Sequence, residues 1–244
     1  QIALGGETLN IMDDVNQPIW NPSVINTAMD NTVSVNYSSY LAGINIGSIS
    51  YAKTLSRRFG TLHGSIKYLD YGAIIGADEF GVETGNFSAN DTAISFGYAY
   101  CIPRSNIFIG ANLKFINATI SNYTSFGSAF DFAMLYYSRF KPLSMTFVVR
   151  NIGTQLKSYN GVQEKLPLKI ALGVSYRLKY VPLKWYGTLD NLQQWDISVS
   201  NPSNQTVDLE GNVTKEDISF LSNMFRHIII GAELFPESLI NIRA

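Results

Sequence analysis

Charge is what this sequence has least of. Only 15% of its 244 residues are Asp, Glu, Lys or Arg, against roughly 25% in ordinary soluble domains. With a formal net charge of −1, no broad basic field is available to neutralise a phosphate backbone, and nucleic-acid binding is excluded. Cys101 is the single cysteine, and His63 and His227 lie far apart. An intrachain disulfide framework and a local zinc-ligand set are excluded with them. Hydrophobic residues make up 46% of the chain, yet no run approaches the roughly 18 apolar residues that mark a membrane helix. GxSxG, HExxH, CxxC and Walker patterns are missing as well, so the expectation is a non-enzyme with no catalytic residues, cofactor or metal.

What is present is alternation. In Thr92–Thr119 two runs are joined by the short link Cys101 to Ser105; Ile94, Phe96, Tyr98 and Tyr100 alternate with Ala93, Ser95, Gly97 and Ala99. Ile107, Ile109, Ala111, Leu113 and Phe115 then alternate with Phe108, Gly110, Asn112 and Lys114, and only Phe108 is out of step. A period of two defines a strand with unlike faces. A soluble sandwich would turn the bulky face inward and cover the other with charge. Here the second face is Ala, Ser, Gly and Asn, which suits the polar interior of a transmembrane barrel whose bulky side chains meet lipid.

The rest of the chain follows the same rule from about residue 31. Residues 1–30 are rich in turn formers and read as irregular or short helical structure, a plug or periplasmic-side segment at or in the barrel mouth. Residues 31–244 read as an antiparallel outer-membrane β-barrel of about 11 strands. Links between strands two and three, four and five, six and seven, eight and nine, and ten and eleven are brief. Longer links are expected at Gly72 to Asp91, between strands five and six, at Ile152 to Pro167 and at Asn191 to Arg226. Short turns on one rim and long loops on the other are the habit of bacterial outer-membrane barrels, with the short turns periplasmic and the long loops extracellular. Arg57, Arg58, Arg104, Arg139, Lys141 and Lys179 fall near the short turns. Tyr40, Tyr71, Tyr100, Tyr137 and Trp185 fall near strand ends, where an interfacial girdle would sit. The last run, Leu239 to Ala244, starts a strand and stops. A closed barrel expects further residues, or an edge paired with the N-terminal segment or a partner.

On the modest face, Lys67, Lys114, Asp131, Arg150, Lys169, Asp190 and Glu233 converge on the interior. Opposite charges are expected to pair there across strands, since a narrow lumen solvates a lone charge poorly; a pore constriction is the alternative. Candidate partner-binding positions lie in the long links: Gln155 and Tyr159, then Trp195, then Met224 and Phe225. Ile218, Leu221, Met224 and Phe225 have near-helical spacing, as for a short amphipathic helix over the rim.

The segments ALGGETLNIMDDV and WNPS resemble the amino-terminal signature of the PorV/PorQ family, whose members are similar to the FadL fatty-acid channel. NIGTQLKSY at Asn151 to Tyr159, LQQWD at Leu192 to Asp196, and RHIIIGAELFP extend the likeness over nearly the whole chain. The resemblance implies a FadL-like barrel of 14 strands, of which about 11 would lie in this chain. It also implies a non-enzymatic role in the attachment complex of the type IX secretion system, anchoring a PorZ-like surface protein beside PorU and PorV-like components. A FadL-like channel for hydrophobic small molecules is the competing expectation, and outer-membrane lipid is an implied neighbour of either.

Overall fold

A computed structural model describes residues 8–56, 58–138, 141–159, 161, 163–197, 206–207, 213–214, 219–236 and 242–243. Arg57, Arg139, Ile218 and most of the last run lie outside the described residues. Eleven antiparallel strands form one sheet: β1 (Thr32–Ser39), β2 (Asn45–Ser56), β3 (Gly60–Ala77), β4 (Glu83–Cys101), β5 (Ile107–Ile120), β6 (Tyr123–Tyr137), β7 (Leu143–Lys157), β8 (Lys169–Arg177), β9 (Leu183–Leu189), β12 (Ile228–Leu234) and β13 (Ile242–Arg243). A separate two-stranded hairpin, β10 (Thr206–Val207) and β11 (Val213–Thr214), precedes the helix α1 (Phe220–Arg226). Among the described residues, strands neighbour one another in chain order and the sheet is not closed: β1 and β13 are its ends. Among the described residues no helix is long and apolar enough to cross a membrane, which says nothing of strands.

The two faces are divided as the alternation requires. Bulky rows are exposed, for example Ile49 and Tyr51 on β2, Leu62 and Ile66 on β3, Phe96 and Tyr98 on β4, Met134 and Tyr136 on β6, and Leu172 and Val174 on β8. The intervening small row is buried, with Ser50, Ala52, Ser65, Ser95, Ala99, Ala129, Ala133, Ser144, Ala171 and Ser175. A two-residue period forces this separation once one face is covered.

What covers it is the N-terminal segment. Three short 3-10 turns (Gln17–Ile19, Pro22–Val24, Thr27–Met29) fold it into a compact loop. Asparagine and glutamine amides hold the loop by donating to its own backbone: Asn21 to the Leu9 carbonyl at 2.7 Å, Asn26 to that of Met12 at 2.6 Å, and Gln17 to that of Thr8. Buried donors must find acceptors, and irregular chain has no ladder to supply them.

This one loop touches nine consecutive strands. Asn16 donates to Ser34 of β1 at 2.9 Å, and the His63 ring of β3 lies 2.9 Å from the Val15 carbonyl. Asn112 of β5 donates to the Pro18 carbonyl at 2.7 Å, and Asn10 donates to Ser144 of β7 at 2.9 Å. Val15, Val24 and Met29 pack with Ala52 of β2 and Leu135 of β6; Leu9 packs with Val148 and Ala171; and Ile11 packs with Tyr186 of β9. On β4, Ile25 abuts Gly97. Because strands this far apart in the sheet reach one small loop, the sheet wraps around it.

Two expectations about the links need correction. The stretch between strands three and four is no long loop: β3 and β4 continue through it to a turn at residues 78–82, past a bulge at Asp70 to Ala73. Between β5 and β6 only Ser121 and Asn122 intervene. Beyond the bulge the extensions are largely exposed on both faces, so no alternation is imposed and the sequence does not announce them as strand. The β7–β8 and β9–β12 connections are long.

Candidate functional site

Counting inward from the short-turn rim, Lys67, Lys114, Arg150 and Lys169 occupy comparable heights on β3, β5, β7 and β8. All belong to the covered row, and two of them, Lys67 and Arg150, lie over Trp20 of the N-terminal loop. The Lys67 ammonium lies 5.4 Å and the Arg150 guanidinium 5.3 Å from the Trp20 ring centroid. Contacts of this kind are worth on the order of 0.5–2 kcal/mol, more where water is excluded.

The other charges are paired across strands. Lys114 Nζ is 2.6 Å from Asp131 Oδ2, with Asp131 fully buried on β6. Lys169 Nζ is 2.9 Å from Asp190 Oδ2, beyond the end of β9. Glu233 belongs to a different group near the short-turn rim, where it accepts from Tyr186 at 2.6 Å and pairs with Arg243 at 3.0 Å. Thus Lys67 and Arg150 lie over Trp20, Lys114 pairs with Asp131 and Lys169 with Asp190, and Glu233 lies apart.

A local irregularity fixes Asp131. Register shifts between Phe130 and Phe132, where Asn151 of β7 takes a φ of 60° and leaves the ladder. Asparagine tolerates this left-handed conformation better than most residues. The freed Asn151 N–H donates to Asp131 Oδ1 at 2.9 Å.

The partner-binding candidates do not form one surface. Gln155 is not a loop residue. It lies on β7, buried, donating to Ser125 at 2.7 Å and accepting from the Glu164 N–H at 2.8 Å, so it ties down the β7–β8 loop and is not offered to a partner. The bulge at Asn151 inverts the parity of β7, so that an odd-numbered residue, Gln155, turns inward after the even-numbered Ser144, Thr146, Val148 and Arg150. Tyr159 is half-buried in that loop, and its phenol is held above its ordinary range by burial first, then by the charges of Asp91 and Glu164.

Trp195, Met224 and Phe225 do belong together. Trp195 stacks with Phe220 at 5.2 Å and with His227 at 5.0 Å, and its carbonyl accepts from Asn223 of α1. The helix exists where its spacing predicts, and its apolar side chains turn outward: Asn223 is the buried residue, while Phe220, Leu221 and Phe225 are exposed at 65%, 61% and 65%. The Trp195 carbonyl accepts from the Asn223 amide and lies 2.9 Å from His227 Nε2, polar contacts that an apolar side chain at 223 could not share. Exposed Phe220 and the buried Asn223 anchor were missed by sequence reasoning; Asn223 within an apolar heptapeptide was the available signal.

These features define an all-β protein with an apolar outer face, a charged and covered inner face, and a helix presenting apolar side chains at one rim. No protein-family profile matches the chain, and no curated protein matches it.

Proposed function

We propose that the chain is the wall of a plugged outer-membrane β-barrel that serves, without catalysis, as an anchor for a surface protein of the PorZ type in a type IX secretion attachment complex. The observation that carries the membrane part is the exposed apolar row on successive strands, opposite a row of small, polar and ion-paired residues. Water-soluble monomers rarely expose contiguous apolar surface on this scale, whereas a lipid-facing wall requires it. The scaffold part rests on the PorV/PorQ-like segments. Supporting it, the N-terminal loop occupies the inner face, and α1 turns Phe220, Leu221 and Phe225 outward beside Trp195, side chains of the kind that anchor partners.

A second reading, a channel for hydrophobic small molecules, draws on one observation. An apolar groove of about 670 Å³ runs among Met134, Met145, Leu172, Val174 and Ile230, where Gly187 leaves a gap in the outward row. The loop across the inner face weighs against passage.

Affinity capture of the tagged chain from detergent-extracted outer membrane tests both. Co-purification of a PorZ-like partner, lost in Phe225→Glu, is the expected result. Its absence, together with an amphiphile bound inside the wall, would replace the scaffold with the channel.

A further inference from the structure

The hairpin of β3 and β4 runs on past its neighbours at the long-loop rim. β2 accompanies β3 no further than the pair of Asn45 with Asp70, and β5 accompanies β4 no further than the pair of Ile120 with Ala89. Beyond these points residues 73–77 and 83–88 pair with each other, and among the described residues no third strand lies beside them. No residue from 73 to 88 is buried. A two-stranded ribbon left to itself is marginal in water, and an open strand edge is ordinarily guarded by charge or proline along its length. The edge Ala73, Ile74, Ile75, Gly76, Ala77 carries neither.

The tip of this ribbon is held in shape from within. The Asp78 carboxylate accepts from the Phe80 and Val82 N–H groups, both at 2.9 Å, the Asp78 N–H donates to the Val82 carbonyl at 2.9 Å, and Gly81 closes the turn at a φ of 81°. The turn holds out Phe80, 83% exposed, with Val82 at 61% and Ile75 at 63%. Charge around these apolar side chains is of one sign. Between Lys67 and Arg104 the sequence carries Asp70, Asp78, Glu79, Glu83 and Asp91, and no lysine or arginine. None of the ion pairs among the described residues involves any of these carboxylates.

We propose that the projecting end of the β3–β4 hairpin docks a lysine- or arginine-bearing segment of a partner protein, with Phe80 as the buried anchor and Glu79 and Glu83 as the charges that select it. An exposed aromatic ring on a fixed turn is the kind of side chain that anchors an interface, and the surrounding charge decides what may approach it. A second copy of this chain would bring the same carboxylates to the contact, and a phosphate-bearing lipid surface would be repelled as well. A cationic polypeptide gains on both counts, covering the apolar side chains and pairing the carboxylates. The hairpin lies apart in sequence from α1, and its docking holds whether or not the outer face lies in a bilayer.

The test replaces Phe80 with photoreactive p-benzoylphenylalanine in the full chain, irradiates intact cells that produce it, and identifies the cross-linked peptide by mass spectrometry. The expected product is a different protein, joined through a segment with an excess of lysine and arginine. Reversing the charge in the same chain, Glu79→Lys with Glu83→Lys, should lower the yield about tenfold or more, since like charges brought together across an interface are costly. Glu79→Asp with Glu83→Asp, which keeps the charge, should retain the cross-link. A product with a second copy of the chain, with lipid, or with a protein segment lacking that basic excess overturns the proposal. So does the absence of any product, or a yield that the charge reversal leaves unchanged.

Discussion

The carboxylate of Asp131 on β6 stands in for a missing ladder partner of Asn151 on β7: its Oδ1 accepts the Asn151 backbone N–H at 2.9 Å, while its Oδ2 holds Lys114 at 2.6 Å. One fully buried side chain thereby closes a strand irregularity and neutralises an inward lysine. Removing it leaves both a bare N–H and an uncompensated ammonium. Asp131→Ala should cost about 3–5 kcal/mol, the range for breaking one side of a buried pair. Replacing the pair with apolar side chains, as in Asp131→Leu with Lys114→Met, should cost less. Unfolding by urea in detergent, compared over the single and double variants, measures the difference; equal losses would show that the pair does not act as a unit.

The N-terminal loop is seated through glycines. A Cβ on Gly110 would fall on the Pro22 carbonyl group, and one on Gly173 would come within 2.6 Å of Asn10 Oδ1. Gly110→Ala is therefore expected to lift the loop from the inner face without altering strand pairing. A cysteine at Val24, fully buried in the parent, should become reactive to maleimide in that variant once Cys101 is replaced by serine. Unchanged protection would mean that the sheet gives way instead.

Outward substitutions separate a lipid-facing wall from a water-exposed one. Val174 is exposed at 41% on β8. Val174→Arg should destabilise the protein by about 2–4 kcal/mol in a bilayer if the position lies near its midplane. On a sheet bathed in water the same change should improve solubility. Refolding into lipid vesicles, followed by band shift and urea titration, reads the sign.

Tyr159 gives a pH dependence confined to the β7–β8 loop. Burial and the nearby Asp91 and Glu164 charges raise its pKa above the ordinary 10.0. The neutral phenol is therefore favoured in the folded loop. Its contribution is fully present below about pH 10 and is lost as the pH climbs through the folded value, because the unfolded chain ionises first. Tyrosinate absorbance of the wild type minus that of Tyr159→Phe should show a titration displaced upward. Coincidence with free tyrosine would place the ring in open solvent.

Much of the sheet was readable because a strand covered on one side has to alternate. Ser50 and Ala52 against Ile49 and Tyr51, or Ala129 and Ala133 against Phe130 and Met134, report their faces through residue type alone. Lys114, Asp131, Lys169 and Asp190 were legible for the same reason: charge on the modest row has nowhere to go but inward, and pairs there. The path of the N-terminal loop was not, because it is held by amides, Asn21 and Asn26 donating within the loop and Asn10 reaching Ser144 far away in sequence, which leave no periodic trace. Gln155 misled because a bulge at Asn151 lies between it and the regular part of β7. The facing of α1 was not legible, since spacing fixes which side chains align but not which side meets the protein.

The reach of that N-terminal loop also dictates an order of assembly. Leu9 packs against Ala171 of β8, and Ile11 against Tyr186 of β9, so residues that precede every strand of the sheet find their neighbours only after most of the strands have formed. Contacts this remote in sequence carry a large closure entropy and slow the final step. The amino-terminal residues therefore act as a late latch, and a chain interrupted before β8 would leave Leu9 and Ile11 without their seats.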